Sequence, residues 1–429
     1  MRPEGSHLTL RLIAVAAVAF VAMCVVLLSL RGEAGTDERS ALRDAPLGAA
    51  VVVPNTRPVT VPEARRSVTV TLADHTGQTE LCGAGWVPYD GLMPPELSPE
   101  LAARAEAATL RLASRLQGEA DERSRAAGWL MQLAYDISHA GSGTVALQAR
   151  CGNDRACIAE AERLRMESMQ RASVPAANTL ATLAATSRDP LVYAAAVRAC
   201  EPMGSIVTLA PACQLISVEQ WARVDPDNTV PWLNVATTAA ARNDVAGVNE
   251  AMYRAAAAST SRVAGSALAG TAIAASKAVT GEFEQAQAFQ SALSIVFDWQ
   301  LPAYQNALHY CVAAALRDSN RLQACDALAR AFIAHPSSLV EERIGFRIAE
   351  RLGWPAEALS EVRAKSDAHI RAQQDFFARP EPLGCASVDR SRDYWLQVAR
   401  DGEVAATRAL AMPPATAATP YSAAPPPAR

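Results

Sequence analysis

The stretch WLNVATTAAARNDVAGVNEAMYRAAA, residues 232–257, decides how the rest of the chain is read. Trp232, Leu233 and Ala236 mark an apolar helical face, Asn243-Asp244 is a turn signal, and Val248, Met252 and Ala255 mark a second face. The same order recurs downstream. Ile273-Ala274 is followed by Gly281-Glu282, then Ala286 and Phe289. Tyr304 and Leu308 are followed by Asn320, then Ala324, Leu328 and Ala331. Ile344 and Ile348 are followed by Gly353 and Ala358. The turn residues at 243, 281, 320 and 353 are separated by steps of 38, 39 and 33 residues. Each unit reads as a helix, a turn containing Gly or Asn, and a second helix with small residues where the two cross. One such hairpin cannot bury both faces, so neighbours must stack.

Residues 220–365 resemble the tetratricopeptide repeat on these grounds. Trp232, the Asn243 turn, Val248 and Ala255 stand at that repeat's signature positions, with Val248 where the family has Ala. Asp225-Pro226 and Pro336 fall where the family places its inter-unit proline. The resemblance implies an all-α, right-handed solenoid of TPR-like helical hairpins whose concave face binds a partner. Composition agrees: half of the 429 residues are hydrophobic but only 5% are aromatic, and Ala favours close helix packing over sheet.

The repeat body is expected to span 98–365. Ser98-Pro99-Glu100 is a helix start, an N-cap followed by Pro. Leu101, Ala105, Ala108, Leu112 and Leu116 mark one helix face, and Leu130, Leu133, Ala134 and Ile137 the next. Before this body, residues 66–97 read as a small β element capping it, with one strand at 67–73 and a second around Thr79–Trp86. After it, 366–411 reads as C-terminal helices, including one over about 391–410, and 412–429 as a disordered tail of Pro, Ala and Thr.

Leu12 to Leu30 is nineteen uncharged residues, which as a helix spans roughly 28 Å, near the thickness of a bilayer core. The exit Ser29-Leu30-Arg31-Gly32-Glu33 lacks a small-residue cleavage pattern, so 12–30 reads as an uncleaved transmembrane signal anchor, with 1–11 a short cytoplasmic tail and 31–65 a linker. Cleavage, lipidation at Cys24 and a buried soluble helix are the alternatives. Arginines flank the span on both sides, so charge does not orient it.

The other eight cysteines bear on orientation. Local spacing pairs Cys151 with Cys157, Cys200 with Cys213 and Cys311 with Cys325, which leaves Cys82 with Cys385. Cys311 and Cys325 lie on either side of Asp318-Ser319-Asn320, so a bond there staples a hairpin. Disulfides require an oxidising compartment, and that places the body in a bacterial periplasm on the inner membrane; buried free thiols are the other reading.

No C-x-x-C, zinc-ligand His spacing, G-x-S-x-G, H-E-x-x-H, Walker A, dinucleotide fingerprint or S-x-x-K occurs, so no cofactor, metal or catalytic residue is expected. A net charge of -4, with only Lys277 and Lys365 as lysines, argues against nucleic acid. Arg343, Arg347 and Arg351 share a helix face and are the candidate binding residues, either for an acidic partner or as a face paired with neighbouring acids. His309, beside Tyr310 and Cys311 on an expected helix, pairs with a carboxylate such as Asp318 or Asp326 in a functional reading, and otherwise is a helix-surface or partly buried histidine making one hydrogen bond. Trp221, Trp232, Trp299, Trp354 and Tyr253 read as packing wedges. The functional expectation is a membrane-anchored scaffold for a protein or peptide of the cell envelope. A glycan-acting envelope enzyme and a purely structural module are the alternatives.

Overall fold

The computed structural model describes residues 77–89, 95, 97–142, 144–201, 210–297, 304–312, 317–378 and 383–411. The expected span at 12–30 and its flanks, the strand at 67–73, Trp299 and the tail at 412–429 lie outside these residues. Among the described residues no helix is long and apolar enough to cross a membrane.

The described chain is mostly helical and opens with a two-stranded antiparallel hairpin, β1 Gln78–Leu81 and β2 Gly85–Pro88. A single strand over 79–86 was the expectation; instead the chain reverses inside it at Cys82–Ala84. Gly83 and Gly85, both at positive φ, make the reversal possible. Gly83 also lets the hairpin tip press on the backbone of Glu282 and Phe283, where a Cβ would overlap.

Helices follow in order: α1 Pro99–Gln117, α2 Glu122–Ser142, α3 Val145–Arg150, α4 Arg155–Thr186, α5 Pro190–Cys200, a 3-10 turn at Pro211–Leu215, and α6 Val218–Val224. The Ser98 hydroxyl accepts the Leu101 N–H at 3.3 Å with Pro99 in the first turn, as the start signal implies. Then come α7 Thr229–Ala241, α8 Val245–Ala257, α9 Ala264–Ser276, α10 Glu282–Phe297, α11 Tyr304–Tyr310, α12 Ser319–Ala334 and α13 Leu339–Arg351. The chain ends in α14 Ala356–Phe377, α15 Cys385–Asp401 and α16 Glu403–Ala411.

The turn chemistry is local and strong. Asn243 holds φ 57°, the left-handed region that Asn tolerates best after Gly, and Asp244 then caps α8 by accepting the Gly247 N–H at 2.8 Å. The expected turn at Asn320 lies earlier: Asp318 is the N-cap of α12, and Asn320 already belongs to the helix. The single helix expected over 391–410 is two, because Gly402 at φ 86° breaks it. α14 runs through residue 365, where the repeat body was expected to end.

Two cores organise the packing. One gathers α1, α2, α4, α5, α9 and α10, with Tyr193, Leu112, Leu180, Leu268 and Phe289 fully buried. The other gathers α7, α8, α11, α12 and α13 around Leu233, Met252, Leu328, Phe332 and Ile348. The hairpins therefore do not stack in sequence order. α8 packs directly on α12, and the α9–α10 hairpin between them sits in the first core against α1, α2 and α15. α9, AGSALAGTAIAAS, has no charged residue and buries eight of its thirteen positions, which spread over more than one helix face and leave Ala274 on the exposed edge. At its crossing with α15, Gly270 lies against Ala399, where a Cβ would overlap.

Four cysteine pairs stand at bonding distance: Cys82–Cys385, Cys151–Cys157, Cys200–Cys213 and Cys311–Cys325, with Cα separations of 4.4, 5.4, 5.5 and 5.8 Å. The first joins the hairpin tip to the start of α15, and the Cys82 N–H donates to the Leu383 carbonyl beside it. The last joins the end of α11 to α12 inside the second core.

Candidate functional site

A cavity of about 240 Å³ opens where α1, α2 and α10 meet. Its walls are apolar, from Ala102 and Ala105 on α1 and Met131 and Ala134 on α2. Glu106, one turn along α1 from Ala102, faces Tyr135 and His139, which are i and i+4 on α2 and so share a face. The Tyr135 hydroxyl donates to Glu106 Oε1, and His139 Nε2 lies 3.7 Å from the same oxygen. The Tyr135 and His139 rings stack at 3.7 Å between centroids. Burial, then the hydrogen bond to Glu106, then the charges of Glu106 and Asp136 push the Tyr135 phenol well up, so it stays a neutral donor.

His139 Nδ1 lies 2.9 Å from the Tyr135 carbonyl oxygen. A carbonyl only accepts, so Nδ1 carries a proton and Nε2 is the ring nitrogen that faces Glu106. The floor is hydroxylic: Thr109 and Ser291 are 2.6 Å apart, Thr109 donates to the Ala105 carbonyl at 3.1 Å, and Ser294 donates to the Ser291 carbonyl at 2.7 Å. With those protons committed, Ser291 donates to Thr109, and the remaining lone pairs are acceptors. Gln287 adds an amide at the rim.

The sequence-derived candidates lie elsewhere. Arg343 pairs with Asp367 on α14, Arg347 Nη1 contacts Glu350 at 2.8 Å, and Arg351 Nη1 donates to the Leu308 carbonyl at 2.7 Å. The stripe is thus engaged with acids and a carbonyl of its own surroundings, the paired-face alternative of the sequence reading. His309 is exposed; Asp318 caps α12, while Asp326 accepts from Arg330 and from Trp354 Nε1. Trp221 is buried in the first core, and Trp232 and Trp354 pack on the second. Tyr253 is not a wedge: it is 64% exposed, turned away from the buried face that Ala251, Met252 and Ala255 form on α8.

A second polar cluster gathers at the start of α13. Ser338 caps the helix, and Glu341, three residues on, turns back so that its Oε2 accepts the Ser337 N–H at 2.7 Å. Its Oε1 accepts from Ser261 and from the Tyr304 hydroxyl. Glu403 reaches in from α16 to accept the Leu339 N–H at 3.0 Å and the Gln373 amide at 2.7 Å. Burial pushes both carboxyls up despite these bonds. Their oxygens are spoken for by backbone and side chains of five segments, which makes this cluster a tie between elements rather than a site. The S-x-x-E signature of a capping box at Ser338–Glu341 was there to be read. For the cavity, only the Tyr135–His139 spacing was visible, because Glu106, Thr109 and Ser291 meet it through tertiary packing.

Among the described residues no group of three or more His, Cys, Asp or Glu side chains is placed to hold a metal ion. Comparison with known proteins yields no matching family model, no similar curated protein and no similar solved structure.

Proposed function

We propose that this chain is a disulfide-braced binding scaffold that works outside the cytoplasm, held at the bacterial inner membrane through residues 12–30, and that its partner is a protein or peptide of the cell envelope. The observation that carries it is the set of four cysteine pairs. Pairs of this kind persist where thiols are oxidised, and they tie the hairpin tip to α15, α3 to α4, α5 to the 3-10 turn and α11 to α12. Within that reading, α7–α8 and α12–α13 are right-handed TPR-like hairpins, and the α9–α10 hairpin is a departure from the repeat. The arginine stripe at 343, 347 and 351 is left out, since its guanidinium groups are engaged within the body.

The Glu106–His139 pair favours a second reading, an enzyme acting on envelope glycan. Hydrolysis of that kind uses two carboxyl groups across a cleft, and Glu106 is the one carboxylate among the described residues lining this cavity. Binding accounts for it with fewer parts. A purely structural module leaves the cavity without a role.

Alkylation of intact cells with a mass-tagged maleimide, before and after reduction, tests the compartment. The scaffold reading expects the eight cysteines to be blocked until reduced. Ready labelling of all eight before reduction would place the body in a reducing compartment and sink the proposal. In-cell cross-linking with mass spectrometry tests the partner: a reproducible envelope protein supports the scaffold, and glycan cleavage by the purified body replaces it with the enzyme.

A further inference from the structure

We propose that the cavity between α1, α2 and α10 binds a primary alkylammonium group, such as the side chain of a lysine in an extended segment of the partner. The inference rests on the scaffold reading for its source of ligand, but the chemistry stands on the cavity alone.

Glu106, Thr109, Ser291 and Ser294 converge as acceptors, beside the Ser138 hydroxyl and the Gln287 amide, which can turn either way. Glu106 offers a carboxylate that is 43% exposed, and its partners are a phenol and a histidine rather than an arginine or lysine. Thr109, Ser291 and Ser294 have used their protons on one another and on carbonyls, so each turns a lone pair outward. A site lined this way suits a ligand that only donates. An ammonium is such a ligand, with three donors and a charge opposite to Glu106. An anion finds a carboxylate at the mouth, and a neutral alcohol brings one donor to several acceptors.

The apolar walls set the rest of the ligand. Ala102, Ala105, Met131 and Ala134 form a sleeve of small and flexible side chains beside the acceptors. An aliphatic stem lies along such a surface while its charged head reaches the polar end. At about 240 Å³ the cavity falls below the range of drug-sized sites, so one side chain or a short amine fits it better than a cofactor. Asp136, on the same helix as Tyr135, adds to the negative field without blocking the mouth.

The experiment titrates the purified body with n-butylammonium, n-butanol and Nα-acetyl-lysine amide, followed by NMR shifts or calorimetry. The expected result is saturable binding of the two amines at the cavity, with n-butanol at least tenfold weaker. Glu106→Gln should lose at least tenfold in affinity for the amines and leave the thermal midpoint unchanged within a few degrees. Ser291→Ala, a second variant, should weaken amine binding severalfold and is read by the same titration if Glu106→Gln is poorly folded. Equal binding of amine and alcohol, or unchanged affinity in Glu106→Gln, overturns the site. Binding of n-butylammonium with none of the lysine amide keeps the ammonium site and assigns it to a free amine, which counts against the scaffold reading alone.

Discussion

The two cores use different means to the same end. The first is built largely from small residues: α5 buries Ala194, Ala195, Ala196 and Ala199, α9 buries Ala264, Ala269 and Ala272, and Gly128, Gly265 and Gly270 stand at inward helix positions. The second is built from larger side chains at repeat spacing, Leu233, Met252, Leu328, Phe332 and Ile344. A core of small residues lets helices lie close but leaves no slack, since an added methyl has nowhere to go. A core of Leu, Met and Phe absorbs change by repacking. Sequence order and spatial order separate at α9, whose buried positions spread over more than one helix face.

The largest break in this comparison is expected from the Cys82–Cys385 bond, which closes a sequence separation of 303 residues within the first core. In the chain-entropy model its loss costs on the order of 5 kcal/mol, against about 2 kcal/mol for Cys151–Cys157 with a separation of 6. Replacing Cys82 and Cys385 by Ser should raise hydrogen exchange across α1, α10 and α15 while α12 and α13 stay protected. Uniform loss of protection would show that the two cores are one cooperative unit.

A smaller break follows from Gly270→Ala. The added methyl meets Ala399 and should destabilise the first core by about 1–3 kcal/mol, seen in the thermal midpoint. Gly270→Ala combined with Ala399→Gly moves the methyl across the contact and should recover part of the loss. A strictly additive double mutant would mean that the two positions do not touch.

The second core should respond to pH. Burial raises the carboxyls of Glu341 and Glu403 in the folded state, so the folded protein holds protons that the unfolded chain has released. Their contribution is therefore full below the ordinary carboxylate range and is lost as pH rises above it. Stability of this region should fall as pH rises above the ordinary carboxylate range, and Glu403→Gln should flatten that slope. Carboxyls held low by arginine or lysine, such as Glu160 and Glu361 beside Arg163 and Lys365, act in the opposite direction below that range. A rising profile above that range would reverse the assignment.

The smallest effect is at Asn243. Asn243→Ala should cost about 1 kcal/mol, and Asn243→Gly should be near neutral, because the left-handed conformation is retained at little strain. Denaturant midpoints of the two variants measure it.

Much of the architecture was legible in local signals. Ser98-Pro99, Asn243-Asp244, Gly281 and Gly353 each stand at a boundary, because caps and left-handed turns depend on neighbouring residues alone. The cysteine pairs were legible by spacing for the three short loops. What escaped was of two kinds. The break at Cys82–Ala84 was masked by the apolar residues on either side, and the one at Gly402, between Asp401 and Glu403, by the helical spacing that continues across it. The cavity escaped because its acceptors come from α1, α2 and α10, far apart in sequence, and Thr109 and Ser291 look like ordinary helix residues until they face each other. The stacking order escaped as well, because α7 and α9 both lack charged residues and yet belong to different cores.

The bond between Cys82 and Cys385 also sets a timetable. If the chain emerges at about 5–20 residues per second, roughly 15–60 s separate the first cysteine from the last. During that interval Cys151, Cys157, Cys200, Cys213, Cys311 and Cys325 appear, each nearer to Cys82 along the chain than Cys385 is. Oxidation in order of arrival would join the wrong sulfurs. Biogenesis in an oxidising compartment therefore calls for an isomerase, or for a hairpin that keeps Cys82 shielded until α15 arrives.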